Sequence, residues 1–395
     1  MTGALLFLAA AAVPPSPAGP WRAALDLAGG PLRFALEVAG RPGSWTGTLC
    51  NGGTCNPLSA VRVAGDSVVL EIGEYDATIA AALRGDSLVG AYRNVGNRGP
   101  RTIPFRAARG RWPAEPVDPR LVGRWHAEFL LDWEASPRLL EFRDTPRGLE
   151  GTVVGKGGDY GLFWGRTAAD SFSMAHFDGS FVYMLTGRLD GDTLRGEFHA
   201  GLRGRTSWRA WRATDAPHLA PPTEVTRADT TAPFAFAFPD LDGRLVTNAD
   251  PRFRGKVTIV DVFGTWCPTC HDAAPLLVEL YRDYRDRGLE IVGLAYEVTG
   301  DPATDGRLVR RYRDKFGITF PLLLAGRNDT EATAATLPQL EGFGAYPTTI
   351  FVGRDGRVRR VHAGFHGPAV PDLHARVVAD FRRTVEALLA ERTTP

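Results

Sequence analysis

The hydrophobic pattern of this chain changes character across residues 214–233, and that change rules out one uniform fold. The segment reads Thr-Asp-Ala-Pro-His-Leu-Ala-Pro-Pro-Thr-Glu-Val-Thr-Arg-Ala-Asp-Thr-Thr-Ala-Pro. It is Pro-rich, polar and without period, which is linker chemistry. Before it, short runs alternate apolar and polar residues and are broken by Gly-Asp and Asp-Gly turns: Ser67–Ile72, Ala77–Leu83 and Phe181–Leu185. That alternation predicts antiparallel strands. After it, strands that read as buried alternate with stretches of helical period, which predicts a mixed α/β sheet covered on both faces. The 395-residue length agrees, because a single core rarely grows past roughly 250–300 residues.

The first part is internally repeated. Gly85-Asp86-Ser87-Leu88-Val89-Gly90-Ala91-Tyr92 is echoed by Gly191-Asp192-Thr193-Leu194-Arg195-Gly196-Glu197-Phe198. Each copy opens on a Trp (Trp21, Trp125) and closes on an Arg/Ala-rich strand (Phe105-Arg106-Ala107-Ala108, Trp208-Arg209-Ala210-Trp211). Two all-β units are therefore expected, at 20–110 and 121–213. The pattern resembles small lipocalin-like barrels. Whether each unit closes alone or both share one sheet system stays open at this level.

At the N-terminus, Ala4 to Val13 is an unbroken apolar run followed by Pro14-Pro15-Ser16-Pro17-Ala18-Gly19. It is too short to span a bilayer and fits the core of a secretory signal over residues 1–19, although no Lys or Arg precedes it. The expected location is periplasmic or otherwise extracytoplasmic, with no stable membrane insertion. Net charge is +1, with Lys only at 156, 256 and 315, so no nucleic-acid partner is indicated. The four cysteines form two close pairs, Cys50/Cys55 and Cys267/Cys270, which suits an oxidising compartment. Cys50 and Cys55 flank Asn51-Gly52-Gly53-Thr54, a turn-forming tetrapeptide, and are read as a structural disulfide.

The redox chemistry is expected at Gly264-Thr265-Trp266-Cys267-Pro268-Thr269-Cys270. A buried strand, Val257 to Phe263, ends there, and a helix over 268–287 begins at the first Cys. Unpaired N–H groups and the dipole at a helix N-terminus stabilise an anion, favouring a Cys267 thiolate. Cys270 lies one turn on, in position to close a disulfide. Zinc would need two further ligands, and Cys50 and Cys55 lie over 200 residues away in another unit; His271 cannot complete a site alone. Further elements are expected at 289–295, 305–316, 320–324, 348–352, 358–362 and 373–392.

On these motifs, residues from about 233 to 392 resemble the TlpA/ResA-type branch of the thioredoxin superfamily, so a thioredoxin-like domain is expected over 233–395. Trp266-Cys267-x-x-Cys270 matches its active site, Pro275 its helix-kinking proline, Tyr346-Pro347-Thr348 its cis-proline loop, and Gly364 a glycine beside the substrate groove. The resemblance implies a cofactor-free thiol–disulfide oxidoreductase acting through the Cys267–Cys270 disulfide, with a protein disulfide as substrate and an upstream thiol protein as electron donor. It implies reduction, which the residues alone do not fix. Trp266, Tyr346, Pro347 and Gly364 would line the substrate groove.

Two positions depart from the family pattern. A Glu three residues after the second Cys is replaced by Ala273, and an Asn in the preceding strand is replaced by Asp261. Asp261 is read as a buried acid that accepts the Cys270 proton. His271 is expected to be exposed in the first helical turn. Two rival readings are weighed. A thiol peroxidase would carry Thr where Gly264 stands. An envelope binding protein would use the β region for a ligand or partner, with an accessory redox domain; its Trp and Phe residues are read instead as core filling.

Overall fold

Two-residue alternation puts every second side chain on one face of a strand, and a short meander can bury that face only by curling on itself. The computed structural model describes residues 16–96, 99–131, 134–215 and 218–391, and it shows two such curled sheets in succession. The apolar run from Ala4 to Val13 lies outside the described residues.

In the first unit the strand Gly19–Leu27 pairs with Gly30–Arg41 on one side and Gly99–Arg109 on the other, with Trp21 opposite both Leu36 and Arg109. The second unit repeats the order: Gly123–Leu131 pairs with Glu134–Thr145 and Gly204–Arg212. Here Gly148–Gly155 also pairs with Glu134–Thr145 and with Phe163–Ala168, so the ladder closes into a barrel. The corresponding strands of the first unit, Ser44–Asn51 and Ala60–Ala64, share no ladder and meet through single bonds such as Leu58 N–H to Gly47 O at 2.8 Å. Each unit is thus a sheet system of its own. Trp125, Phe142, Phe163 and Trp208 fill the second; Phe34, Leu70, Ile79 and Phe105 fill the first.

The repeat extends to one side-chain device. Arg109 lies 4.4 Å over the Trp21 ring, and Arg212 lies 3.9 Å over Trp125. Each guanidinium donates to two carbonyls just ahead of its Trp: Ala18 and Ser16 in one copy, Val122 and Arg120 in the other. Each indole N–H donates four residues back, to Pro17 O at 2.9 Å and Leu121 O at 2.8 Å. The first barrel therefore binds Ser16–Ala18, the end of the expected leader.

The two units lock together at Phe177, whose ring sits 4.9 Å from Phe34 and 5.1 Å from Tyr92. Tyr92 donates to Gly179 O at 2.8 Å. These contacts fix the loop after strand Ser171–Phe177, which reaches the redox domain.

That domain has a five-stranded sheet in the order Leu322–Arg327, Leu289–Glu297, Val257–Phe263, Thr348–Val352, Val358–Ala363. The first three strands run parallel and the last two antiparallel. The helices Pro268–Tyr284, Pro302–Phe316 and Pro371–Ala390 all pack on one face, around Ile259, Phe263, Leu280, Val309 and Phe381. The other face is covered instead by Phe234, Phe236, Phe253 and Phe343 and by the short helix Thr330–Thr336. The Pro-rich segment does not swing freely between the units. Arg227–Ala228 pairs with Leu340–Glu341, Thr226 is fully buried, and His218 meets Ala127 O at 2.9 Å.

The clasp around Trp125 combines a cation–π contact with two carbonyl bonds, so Arg212→Ala should destabilise the second barrel by about 1–2 kcal/mol. Urea melts followed by tryptophan fluorescence should show the loss, whereas Arg195→Ala, which removes an exposed pair with Asp190, should leave the midpoint within error.

Candidate active site

All seven residues of Val257–Phe263 are buried, and the strand delivers the chain rigidly to Gly264. A Cβ at Gly264 would lie 2.1 Å from the Trp266 indole nitrogen and 2.7 Å from Tyr296 O, so the turn requires glycine. Cys267 follows as the N-cap of helix Pro268–Tyr284, with Pro at the first helical position and Pro275 inside. Cys267 and Cys270 are disulfide-bonded, with Cα atoms 5.3 Å apart. The Cys270 N–H points at Cys267 Sγ at 3.3 Å, and Thr269 Oγ1 lies 3.2 Å from the same sulfur.

The remaining expected groove residues gather here. The Tyr346–Pro347 peptide is cis, and Thr269 Oγ1 donates to Tyr346 O at 3.3 Å. Gly364 N–H donates to Pro347 O at 2.6 Å. The Trp266 ring packs edge-on to Tyr346, 5.2 Å between centroids, and its indole N–H donates to Tyr296 O at 2.8 Å. Cys50 and Cys55 lie apart from this group: they face each other across a hairpin of the first barrel, disulfide-bonded, with Cα atoms 4.1 Å apart.

Asp261 is buried in the central strand, and Thr349 Oγ1 donates to its carboxyl at 3.2 Å. Burial pushes its carboxyl up to about 7. A second buried acid, Glu297, escaped the sequence reading. It accepts from Thr265 N–H at 2.8 Å and Thr265 Oγ1 at 2.6 Å, and desolvation raises it to about 7. Its signal was available: Glu297 follows the mostly apolar run Ile291–Tyr296 and ends the strand Leu289–Glu297, at the carboxyl edge where α/β sheets build their sites. The Tyr312 hydroxyl donates to Cys270 O at 2.9 Å.

His271 corrects the expectation of an exposed ring. It is buried between Tyr75 of the first barrel, tilted against it at 5.1 Å, and Tyr312, edge-on at 5.0 Å. Burial and the neighbouring Lys315 push it down to about 3, so the ring is neutral. Its Nε2 meets Thr265 O at 2.7 Å and its Nδ1 meets Lys315 Nζ at 3.3 Å. A neutral ring fits both contacts only if Nε2–H donates and Nδ1 accepts. Lys315 in turn pairs with Glu74 of the first barrel. A periodic helix pattern could not reveal this, because the group that covers His271 comes from a barrel about 200 residues away in sequence.

The second barrel touches the site on both sides. Ser180 Oγ donates to Trp266 O at 3.2 Å, Gly158 bridges to Phe365, and Asp159 accepts from Gly367 N–H at 2.5 Å. Gly364 accordingly faces Gly157, whose backbone a Cβ at 364 would meet at 2.5–2.8 Å. Cys267 is 3% exposed and Cys270 1%. Among the described residues, no cluster of three or more His, Cys, Asp or Glu side chains is arranged to hold a metal ion.

A Cys-x-x-Cys disulfide at a helix N-terminus, set against a cis-proline loop on a mixed sheet, defines a thioredoxin-fold thiol–disulfide oxidoreductase. Residues 227–376 match the Redoxin family model. The thiol-disulfide oxidoreductase ResA of Geobacillus thermodenitrificans is 35% identical over 135 residues, which cover 34% of this chain and 68% of that protein. ResA of Geobacillus kaustophilus is 33% identical over the same length and the same shares. A thioredoxin-family thiol:disulfide interchange protein from Chlorobium tepidum is 26% identical, covering 42% of this chain and 99% of the other at a TM-score of 0.32. The chain belongs to the ResA family of thiol-disulfide oxidoreductases, and it works by cysteine redox chemistry on protein disulfides.

The raised acids carry a pH signature. Ionising Asp261 costs the folded state more than the unfolded chain, so its contribution to stability is full below about pH 4 and is lost as pH rises to about 7. The loss is at most about 4 kcal/mol. Asp261→Asn should therefore gain stability over wild type between pH 4.5 and 8 in urea melts of the oxidised protein. An equal offset at both pH values would show that Asp261 does not titrate in this window.

Proposed function

We propose that this chain reduces protein disulfides outside the cytoplasm, with Cys267 as the attacking sulfur and Cys270 as the resolving one. The observation that carries this reading is the Cys270 N–H directed at Cys267 Sγ at the start of a 17-residue helix. In the reduced enzyme the same donor and the helix dipole would favour a Cys267 thiolate.

That thiolate attacks one sulfur of the substrate disulfide. A Cys267–substrate bond forms, the substrate disulfide breaks, and the departing thiolate takes up a proton. Cys270 then loses its proton and attacks Cys267 Sγ, releasing the second substrate thiol and closing the Cys267–Cys270 disulfide. Asp261, neutral or charged near pH 7, is suited to accept the Cys270 proton. Glu297 holds the Thr265 backbone and hydroxyl two residues before Cys267 and so positions the turn. An upstream thiol protein would return the two electrons by the reverse exchange. Trp266, Tyr346, Pro347 and Gly364 form the surround through which substrate is read.

Export is part of this proposal, with the leader expected over residues 1–19 shortened so that it ends before Ser16. The contacts of Trp21 and Arg109 with Ser16–Ala18 favour a cleavage that leaves these residues on the barrel. Mass spectrometry of secreted protein should find the mature N-terminus at or before Ser16.

The catalytic assignment is tested by insulin reduction and trapping. Cys267→Ser should abolish turnover. Cys270→Ser should accumulate a mixed disulfide with substrate. In reduced wild type, Cys267 should alkylate with an apparent pKa at least one unit below that of an ordinary thiol. Trapping through position 270 in Cys267→Ser would reverse the roles, and a free-thiol titration curve would remove the basis of the mechanism.

A further inference from the structure

The β region takes part of the surface that a substrate would otherwise use. Next to Gly364, the protein's own hairpin fills the edge of the site: Phe365 N–H donates to Gly157 O at 3.3 Å, and Gly158 and Phe365 form a parallel bridge. A peptide cannot lie there while the barrel is docked. On the opposite side, Asp178 pins the loop, accepting from Ser180 N–H and Phe181 N–H at 2.7 Å each, and Ser180 Oγ reaches Trp266 O.

Beyond Ser180 the surface stays open. A cavity of about 390 Å³ runs from Trp266 between the two barrels, lined by Arg101, Phe181, Tyr183, Leu202 and Arg203. Phe181 and Tyr183 pack 4.9 Å apart and are half-buried, so each keeps ring surface available. Arg101 is held in place by Asn94 Oδ1 at 2.5 Å and by Ser180 O. Leu202, 43% exposed, stands at the mouth. The described lining residues include two guanidinium groups and no carboxylate. Arg forks favour carboxylates, and aromatic walls favour an apolar side chain.

Building on the exchange reading above, we propose that this cavity docks an extended segment of the substrate protein that carries an apolar side chain and a carboxylate beside its reactive cysteine. Three observations favour this occupant. The cavity reaches Trp266, the residue before the attacking cysteine. The alternative edge is filled by Gly157 and Gly158. The charged groups among the described lining residues, Arg101 and Arg203, are of one sign. The second barrel thereby acts as a specificity element, and substrate choice lies outside the thioredoxin fold.

The test uses the reduced full-length chain and three chromogenic disulfides: Glu-Phe-Cys and Lys-Ser-Cys peptides, each blocked on sulfur with 5-thio-2-nitrobenzoate, and Ellman's reagent. In each reaction Cys267 attacks, thionitrobenzoate leaves, and Cys270 then displaces the remaining thiol to close the internal disulfide. The second-order rate constant for Glu-Phe-Cys should exceed that for Lys-Ser-Cys at least tenfold. In Leu202→Asp/Arg203→Glu, two changes on an exposed turn, that ratio should fall to one or below. Equal rates for the two peptides in wild type, or an unchanged ratio in the double variant, would overturn the docking site while leaving the exchange chemistry intact. Ellman's reagent reacting no faster with wild type than with Cys267→Ser would bring down the exchange reading, and the docking site with it.

Discussion

A sulfur placed on the first turn of a helix is the constraint from which the rest of this structure follows. The first N–H groups of a helix have no carbonyl a full turn before them, and that of Cys270 is shared between Cys267 O at 3.0 Å and Cys267 Sγ at 3.3 Å. That geometry survives only if the preceding turn is rigid. Gly264 admits the turn, Glu297 grips Thr265 by backbone and hydroxyl, and the neutral His271 ring holds the Thr265 carbonyl. Each anchor comes from a different element. The loop is therefore fixed from the neighbouring strand, from the helix that follows it and, through Tyr75 and Glu74, from the first barrel.

The parts of this molecule that obey local rules were legible in the sequence. Alternation located the strands of both barrels, and Trp21 and Trp125 marked the start of each copy because each indole must reach a carbonyl and an Arg. The unbroken run Val257–Phe263 followed by Cys-Pro-Thr-Cys told of a strand feeding a helix. What escaped depends on contacts between distant segments. Periodicity gives a helix face but not its cover, so His271 read as exposed although Tyr75 lies over it. Glu297 went unnoticed because its strand reads as core, and only pairing with Val257–Phe263 brings its carboxyl to Thr265. Ser180 and Gly157 carry no chemical signature at all, and their importance lies entirely in where the second barrel docks.

That docking changes what the β region is. The two barrels are built to one plan and stiffened against each other by Phe177, Phe34 and Tyr92. Their shared rigidity sets the loop Asp178–Phe181 against Trp266 and the hairpin around Gly157 against the cis-proline side. Glycines at 158 and 364 permit backbone to lie on backbone there, closer than any side chain would allow.

The two disulfides of the chain sit in different surroundings. One sits where donors and a neighbouring proline loop ready it for exchange. The other, Cys50–Cys55, staples a hairpin on the copy whose strands Ser44–Asn51 and Ala60–Ala64 do not zip together. An unzipped seam is a weak point for edge-to-edge sticking, and a covalent clip beside it keeps the ribbon in register. The chain thus carries its two sulfur bridges on different bodies, one at the exchange site and one beside the open seam of the first unit.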